Sequence, residues 1–172
     1  VWKKVSDEEK VALQTHNPTW FVRYCFRLLG RSEALKLLES TDNASPTYVR
    51  INTLRASEEN CLEKMEKEGI VVEKVPTLKY TYRVAESRKP LVKTQSFRRG
   101  LFYIQDKASC LAAEVANPKA GETVLDVCAA PGAKTTYMAQ LMQNRGIIYS
   151  VDYSMRRMSV WKREVKRMGV EN

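Results

Sequence analysis

Residues 123–136, Thr-Val-Leu-Asp-Val-Cys-Ala-Ala-Pro-Gly-Ala-Lys-Thr-Thr, join a short apolar run to a turn of small side chains and then to a helix-forming stretch. Ala129, Ala130 and Gly132 strip the turn of bulk, so a ligand can lie against the backbone near a helix N-terminus. A second apolar run, 147–151, leads to Asp152, 20 residues after Gly132. At about that separation, nucleotide-binding βαβ units place a carboxylate on a ribose hydroxyl. The turn therefore reads as a site for a nucleoside-containing cofactor. A dinucleotide fingerprint asks for three glycines, and the turn has one. A phosphate-cradling loop asks for glycine at the positions held by Cys128 and Ala133.

Asp126 and Asp152 flank this turn. Two carboxylates suit a cofactor that carries a ribose and positive charge, as S-adenosylmethionine does. At this point a family resemblance enters. Asp126-Val-Cys-Ala-Ala-Pro-Gly-Ala-Lys-Thr135 resembles the cofactor motif Asp-x-Cys-Ala-Ala-Pro-Gly-Gly-Lys-Thr of the Sun-type RNA cytosine-5 methyltransferases. Pro46-Thr-Tyr-Val-Arg-Ile-Asn-Thr-Leu-Arg55 is similar to the family's Arg-Val-Asn segment, with Ile51 for the valine. Gly100-Leu-Phe-Tyr-Ile-Gln-Asp-Lys-Ala-Ser109 is similar to its approach to the catalytic core, and Asp152-Tyr-Ser-Met-Arg-Arg157 to its second cofactor motif. The resemblance covers nearly the whole chain and is strongest from Gly100 onward. It implies an α/β fold: an incomplete, Rossmann-like methyltransferase core over residues 101–172. Residues 1–100 would precede it as N-terminal helices and a small α+β RNA-recognition-like domain. It further implies S-adenosylmethionine held by Cys128, Ala129, Ala130, Pro131, Gly132, Ala133, Lys134, Asp152 and Arg157, and a substrate cytosine in tRNA or rRNA. One departure is Ala133 in place of the motif's second glycine, a strained choice if that position takes positive φ.

Carbon 5 of cytosine is not nucleophilic, so a thiolate must first add to carbon 6. The resemblance implies cysteines in Pro-Cys and Thr-Cys contexts, downstream of the second cofactor motif. Here Cys25, Cys61, Cys110 and Cys128 follow Tyr24, Asn60, Ser109 and Val127. None matches, and Cys128 belongs to the cofactor turn. The expectation is an N-terminal part of a methyltransferase, inactive by itself, whose few core strands leave an unpaired edge and an incompletely covered face. A non-catalytic RNA-binding accessory module is the alternative. A nucleotide-dependent oxidoreductase fragment is a third reading, disfavoured by the single glycine.

The chain has 172 residues, 44% hydrophobic and 28% charged, enough for a real core in one or two domains. No apolar run approaches the ~18 residues that span a bilayer, and the start lacks a secretory apolar segment, so no membrane is expected and the cytoplasm is the default. The four cysteines have neither zinc nor disulfide spacing, and the single histidine, His16, can build no catalytic triad or metal cluster. The net charge of +9 concentrates in 79–107, eight basic residues against Glu86 and Asp106, and in 153–172, six against Glu164 and Glu171. Tyr80, Tyr82, Phe97, Phe102 and Tyr103 interleave the first stretch. These aromatics fit an RNA-stacking surface and a strand core equally well, and the family resemblance favours RNA.

Positioning elements follow from punctuation. Ser6 with Glu9 forms a capping box, Asn17-Pro18 opens a helix that Gly30 stops, and Ser32 starts a third. In the second helix Trp20, Phe21, Tyr24 and Leu28 fall on one face. Strands are expected at 48–52, 70–75 and 80–84, with a Ser57-capped helix at 58–68 stopped by Gly69. From residue 101 the pattern alternates: strands 101–105, 124–127 and 147–151, and helices 108–116, 134–143 and 154–167. Such alternation argues a mostly parallel sheet with helices on both faces. In the last helix Met158, Trp161, Val165 and Met168 read as core contacts beside a basic face of Arg156, Arg163, Lys166 and Arg167.

Overall fold

The computed structural model describes residues 5–40 and 45–172, in two compact units, Val1–Ser45 and Pro46–Asn172. In the first unit, α1 (Asp7–Gln14) begins with the expected capping box: Glu9 N donates to Ser6 Oγ, and Ser6 N donates to the Glu9 carboxylate. α2 (Thr19–Ser40) is broken at Gly30, whose φ of 73° and ψ of 163° interrupt the helix, so the expected stop is a kink between two helical segments. Val11, Ala12, Val22, Cys25, Ala34 and Leu38 form the core of this unit. The Trp20, Tyr24 and Leu28 face is exposed, and the neighbouring Val22 and Cys25 are the buried ones.

The second unit contains β1 (Tyr48–Ile51), α3 (Glu58–Lys67), β2 (Ile70–Lys74), β3 (Thr81–Ser87), α4 (Gln95–Arg98), β4 (Phe102–Ile104), α5 (Lys107–Ala116), β5 (Thr123–Asp126), α6 (Ala133–Leu141), β6 (Ile147–Ser150) and α7 (Met155–Met168). Ser57, Thr94, Asp106 and Ser154 cap α3, α4, α5 and α7, each accepting the backbone N–H three residues on. Each cap stabilises its helix by about 1 kcal/mol.

Four strands form one sheet in the order β2-β3-β1-β4, with every neighbouring pair antiparallel. Val49 sits opposite Tyr82 on one side and Ile104 on the other. β4 was expected to open the parallel sheet; it closes the antiparallel one instead. The boundary expected after residue 100 accordingly falls inside the second compact unit, because β4 is hydrogen-bonded to β1. The sheet's core is Val49, Ile51, Cys61, Met65, Ile70, Tyr82, Leu101 and Phe102, with Tyr80 and Phe97 packed against it. Tyr103 is also buried. The aromatics that interleave the basic stretch are thus core residues, and the stacking-surface reading of them is set aside.

β5 and β6 pair in parallel, from Thr123 opposite Ile147 to Asp126 opposite Ser150. α6 is buried at six consecutive positions from Thr135 to Gln140, and Tyr137, Met138, Ala139 and Met142 pack with Cys110, Ala113 and Ile148. The other face of this two-stranded sheet is bare: Leu125, Val127, Ile147, Tyr149 and Val151 are each at least half exposed. That uncovered apolar face matches the incomplete cover expected of so few core strands and departs from helices on both faces. Among the described residues no helix is long and apolar enough to cross a membrane, and no cluster of metal-ligating side chains occurs.

Candidate functional site

Strand β5 delivers the chain to Asp126, which is 7% exposed and organises the turn behind it. Its carboxylate accepts from Cys128 N at 3.2 Å and from Thr135 Oγ1 at 2.7 Å, tying the start of the turn to the first turn of α6. Thr135 Oγ1 in turn accepts the Trp161 indole N–H at 3.3 Å, which fastens α7 to the same point. Asp126 was expected to flank a ligand. Both its oxygens are committed to the turn itself, so its role here is to set backbone shape.

Gly132 immediately precedes α6 with φ of 113° and supplies no side chain to cap it. Ala133 is the first helical residue and keeps an ordinary negative φ, so the extra methyl group at this position causes no strain. The positive φ in the motif belongs to the glycine that is present. α6 therefore begins without a side-chain cap, and its N-terminal N–H groups carry the positive end of the helix dipole.

β6 brings Asp152 to the other side of the turn. Backbone bonds from Val151 N to Asp126 O at 2.8 Å and from Ala129 N to Val151 O at 3.1 Å extend the pairing past the strand ends. The Asp152 side chain is 1% exposed. It accepts from Ala130 N at 3.2 Å and from Ser154 N at 3.1 Å, and it pairs with Arg157 at 3.1 Å. Arg157 also donates to the Ala130 carbonyl and remains 43% exposed. Cys128, Ala129, Ala130, Pro131, Gly132, Ala133, Lys134, Asp152 and Arg157 therefore converge on one turn, with Arg157 as its solvent-facing cover.

Among the four cysteines only Cys128 is exposed. Burial pushes the Cys61 thiol up to about 11 and raises that of Cys110. A low-pKa thiolate of the kind needed for covalent addition is absent from both of those positions.

Several anchoring residues carried no role in the sequence reading. Arg50, fully buried on β1, donates to Thr136 Oγ1 at 2.8 Å and Gln140 Oε1 at 3.3 Å, both on α6, and lies over the Tyr137 ring at 4.5 Å. Burial lowers its pKa, a charge kept from water in exchange for fixing α6. Asn52, also fully buried, donates from Nδ2 to the carbonyls of Gly100 and Met168, each at 2.8 Å, and accepts from Leu54 N. Both lie in the Arg-Ile-Asn segment that carried the family resemblance. Periodicity marks such positions as strand interior but does not reveal polar partners 86 to 116 residues away.

Residues 18–107 match the N-terminal domain of 16S rRNA methyltransferase RsmF, and residues 113–172 match the 16S rRNA methyltransferase RsmB/F family. The probable ribosomal RNA small subunit methyltransferase B of Bacillus subtilis is 32% identical over 94% of this chain. The 28S rRNA (cytosine-C(5))-methyltransferase of Mus musculus is 32% identical over 73% of it. The chain spans 36% and 30% of the lengths of these two relatives. A crystal structure of a methyltransferase homolog protein from Pyrococcus horikoshii superimposes with a TM-score of 0.80 at 32% identity, covering 98% of this chain and 55% of that one. The first match alone takes in more than half of the residues, and the chain belongs to the Sun-type RsmB/F family of RNA cytosine-5 methyltransferases.

Proposed function

We propose that this chain supplies the cofactor turn and part of the RNA-binding surface of an S-adenosylmethionine-dependent enzyme that forms 5-methylcytosine in ribosomal or transfer RNA. The observation that carries the reading is the buried Asp152 carboxylate, held by two backbone N–H groups at the mouth of a small-residue turn. The residues present fit the cofactor. Asp152 keeps its two backbone donors when Arg157, the exposed partner, swings aside, and its freed lone pairs then suit a ribose diol. The uncapped start of α6 and Lys134 offer positive potential for the carboxylate of the methionine moiety. Ala129, Ala130 and Gly132 leave room for the nucleoside against the backbone. Bound there, S-adenosylmethionine supplies an electrophilic methyl group. This chain's residues orient it and exclude water; the thiolate chemistry on the base is assigned to no cysteine described above.

On this reading 101–172 contribute to the methyltransferase domain, while 1–100 form the helices and RNA-recognition-like domain. β4 of the second part pairs with β1 of the first, so the two parts share one sheet. The test uses the intact protein with methyl-labelled S-adenosylmethionine and small-subunit rRNA or tRNA transcripts. Label recovered as 5-methylcytosine is expected. Asp152→Asn removes a charged acceptor and should weaken cofactor affinity by about tenfold or more. Absence of label from every transcript, or unchanged affinity in the variant, overturns the proposal.

A further inference from the structure

Two basic stretches far apart in sequence meet in space. Arg55 from the turn after β1, Arg98 and Arg99 from the end of α4, and Arg163, Lys166 and Arg167 from the last turns of α7 line one open cleft of about 530 Å³. Among the described residues, no acidic, apolar or aromatic one lines it. Two of the six are anchored. Arg55 donates to the Lys166 and Arg167 carbonyls, and Arg167 pairs with Glu164 at 2.6 Å while donating to the carbonyls of Phe97 and Phe102. The side chains of the other four, Arg98, Arg99, Arg163 and Lys166, make no hydrogen bond or ion pair with any described residue and are exposed.

We propose that this cleft is a phosphate clamp that grips the RNA backbone a fixed distance from the cofactor turn. The inference rests on the RNA methyltransferase reading and adds a site to it. An all-cationic lining without aromatic faces holds phosphates, not bases. Guanidinium forks match phosphate oxygens bidentately, and the open shape suits a strand passing through. The clamp and the turn share α7. From Arg157 at the turn to Arg163 and Lys166 in the cleft, the helix rises on the order of 9–14 Å. That offset corresponds to only a few nucleotides, so backbone held in the cleft fixes where the target base can reach.

The test measures filter binding of a ribosomal RNA transcript to the intact protein over a salt series. Arg98→Gln/Arg163→Gln should make the plot of log affinity against log salt shallower by about 1.4, and weaken binding roughly tenfold near physiological salt. Arg98→Lys/Arg163→Lys should keep most of the slope. Lys119→Gln/Arg145→Gln, which removes two exposed charges outside the cleft, should leave slope and affinity unchanged. The clamp is overturned if the cleft variant binds like wild type, or if the control pair loses as much. Methyl transfer by wild type is scored in parallel. Transfer with an unaltered cleft slope sinks the clamp alone; no transfer with a reduced slope sinks the enzymatic reading and leaves the clamp standing.

Discussion

Moving one methyl group along the turn separates backbone strain from packing. In Gly132→Ala the new Cβ would meet Trp161 Cδ1 at 3.5 Å, Glu164 Cβ at 3.6 Å and Thr136 Cγ2 at 3.9 Å, all ordinary contacts. No clash adds to the cost, so the penalty is that of holding an alanine at φ of 113°. This amounts to about 1–2 kcal/mol. Ala133→Gly puts a flexible residue at the first position of α6, where φ is already ordinary, and costs about 0.5–1 kcal/mol in helix propensity. Chemical denaturation of the intact protein reads the two stabilities, and calorimetric titration of S-adenosylmethionine reads the consequence for the turn. If Gly132→Ala relieves its strain by moving the turn, affinity falls by about 5–30-fold, the equivalent of 1–2 kcal/mol. Ala133→Gly should change it less than about threefold. The reasoning is refuted if Gly132→Ala is neutral in both measurements. It is equally refuted if Ala133→Gly stabilises the protein or tightens binding, which would make Ala133 the strained residue.

Other perturbations probe the supports of the site. Asn52→Asp exchanges two N–H donors for an oxygen facing the Gly100 and Met168 carbonyls and should cost about 3 kcal/mol or more by urea denaturation, against the under 1 kcal/mol expected of a surface change. Glu68 caps α4 by accepting from Gln95 N at 2.7 Å and Ser96 N at 2.8 Å. Partial burial raises its carboxyl, but the hydrogen bonds from Ser96 and Gln95 outweigh it and leave the pKa below the usual carboxylate range. Its stabilisation is therefore complete above the ordinary carboxylate pKa and is lost as pH falls through the lowered one. Glu68→Gln should abolish this acid response in hydrogen exchange of the Gln95 and Ser96 amides and cost about 1–2 kcal/mol at neutral pH. Thiol titration of the native protein should modify Cys128 rapidly and leave Cys25, Cys61 and Cys110 unreacted until denaturation; rapid labelling of Cys61 would contradict its burial.

Local signals carried most of the elements. Ser6 with Glu9, Ser57, Gly69 and Gly169 punctuate helices through caps and stops whose chemistry is complete within a few residues. Pairing partners are not local. Phe102–Ile104 reads as a strand from its own residues, yet its alignment against Val49–Ile51 depends on contacts more than 50 residues away. The aromatics at 80–103 illustrate a second limit: alternation with charge is what both a stacking surface and a half-buried strand produce, and only burial distinguishes them. The turn and its Asp152–Arg157 partner were legible because a long, unusual motif fixes them. The cationic cleft was not, since its members at 55, 98–99 and 163–167 share no sequence window.

What joins these parts is a set of polar ties running from one strand into two helices. Arg50 on β1 holds Thr136 and Gln140 in the middle of α6, and Gln140 Nε2 donates back to the Ile51 carbonyl at 3.1 Å. One residue on, Asn52 grips the Met168 carbonyl at the end of α7, and Arg55 grips those of Lys166 and Arg167. From the first half of α7, Arg157 and Trp161 reach the turn after β5 through Asp152, Ala130 and Thr135. Helix α7 is therefore a strut fixed at both ends, one at the cleft and one at the turn. Relaxing the cleft end of α7 would take the Met168 carbonyl from the buried Asn52 amide, at about 1–3 kcal/mol. A ligand that must displace Arg157 from Asp152 acts on the same strut that carries Arg163 and Lys166. If cofactor and RNA bind as proposed, α7 is the one element that joins their two sites.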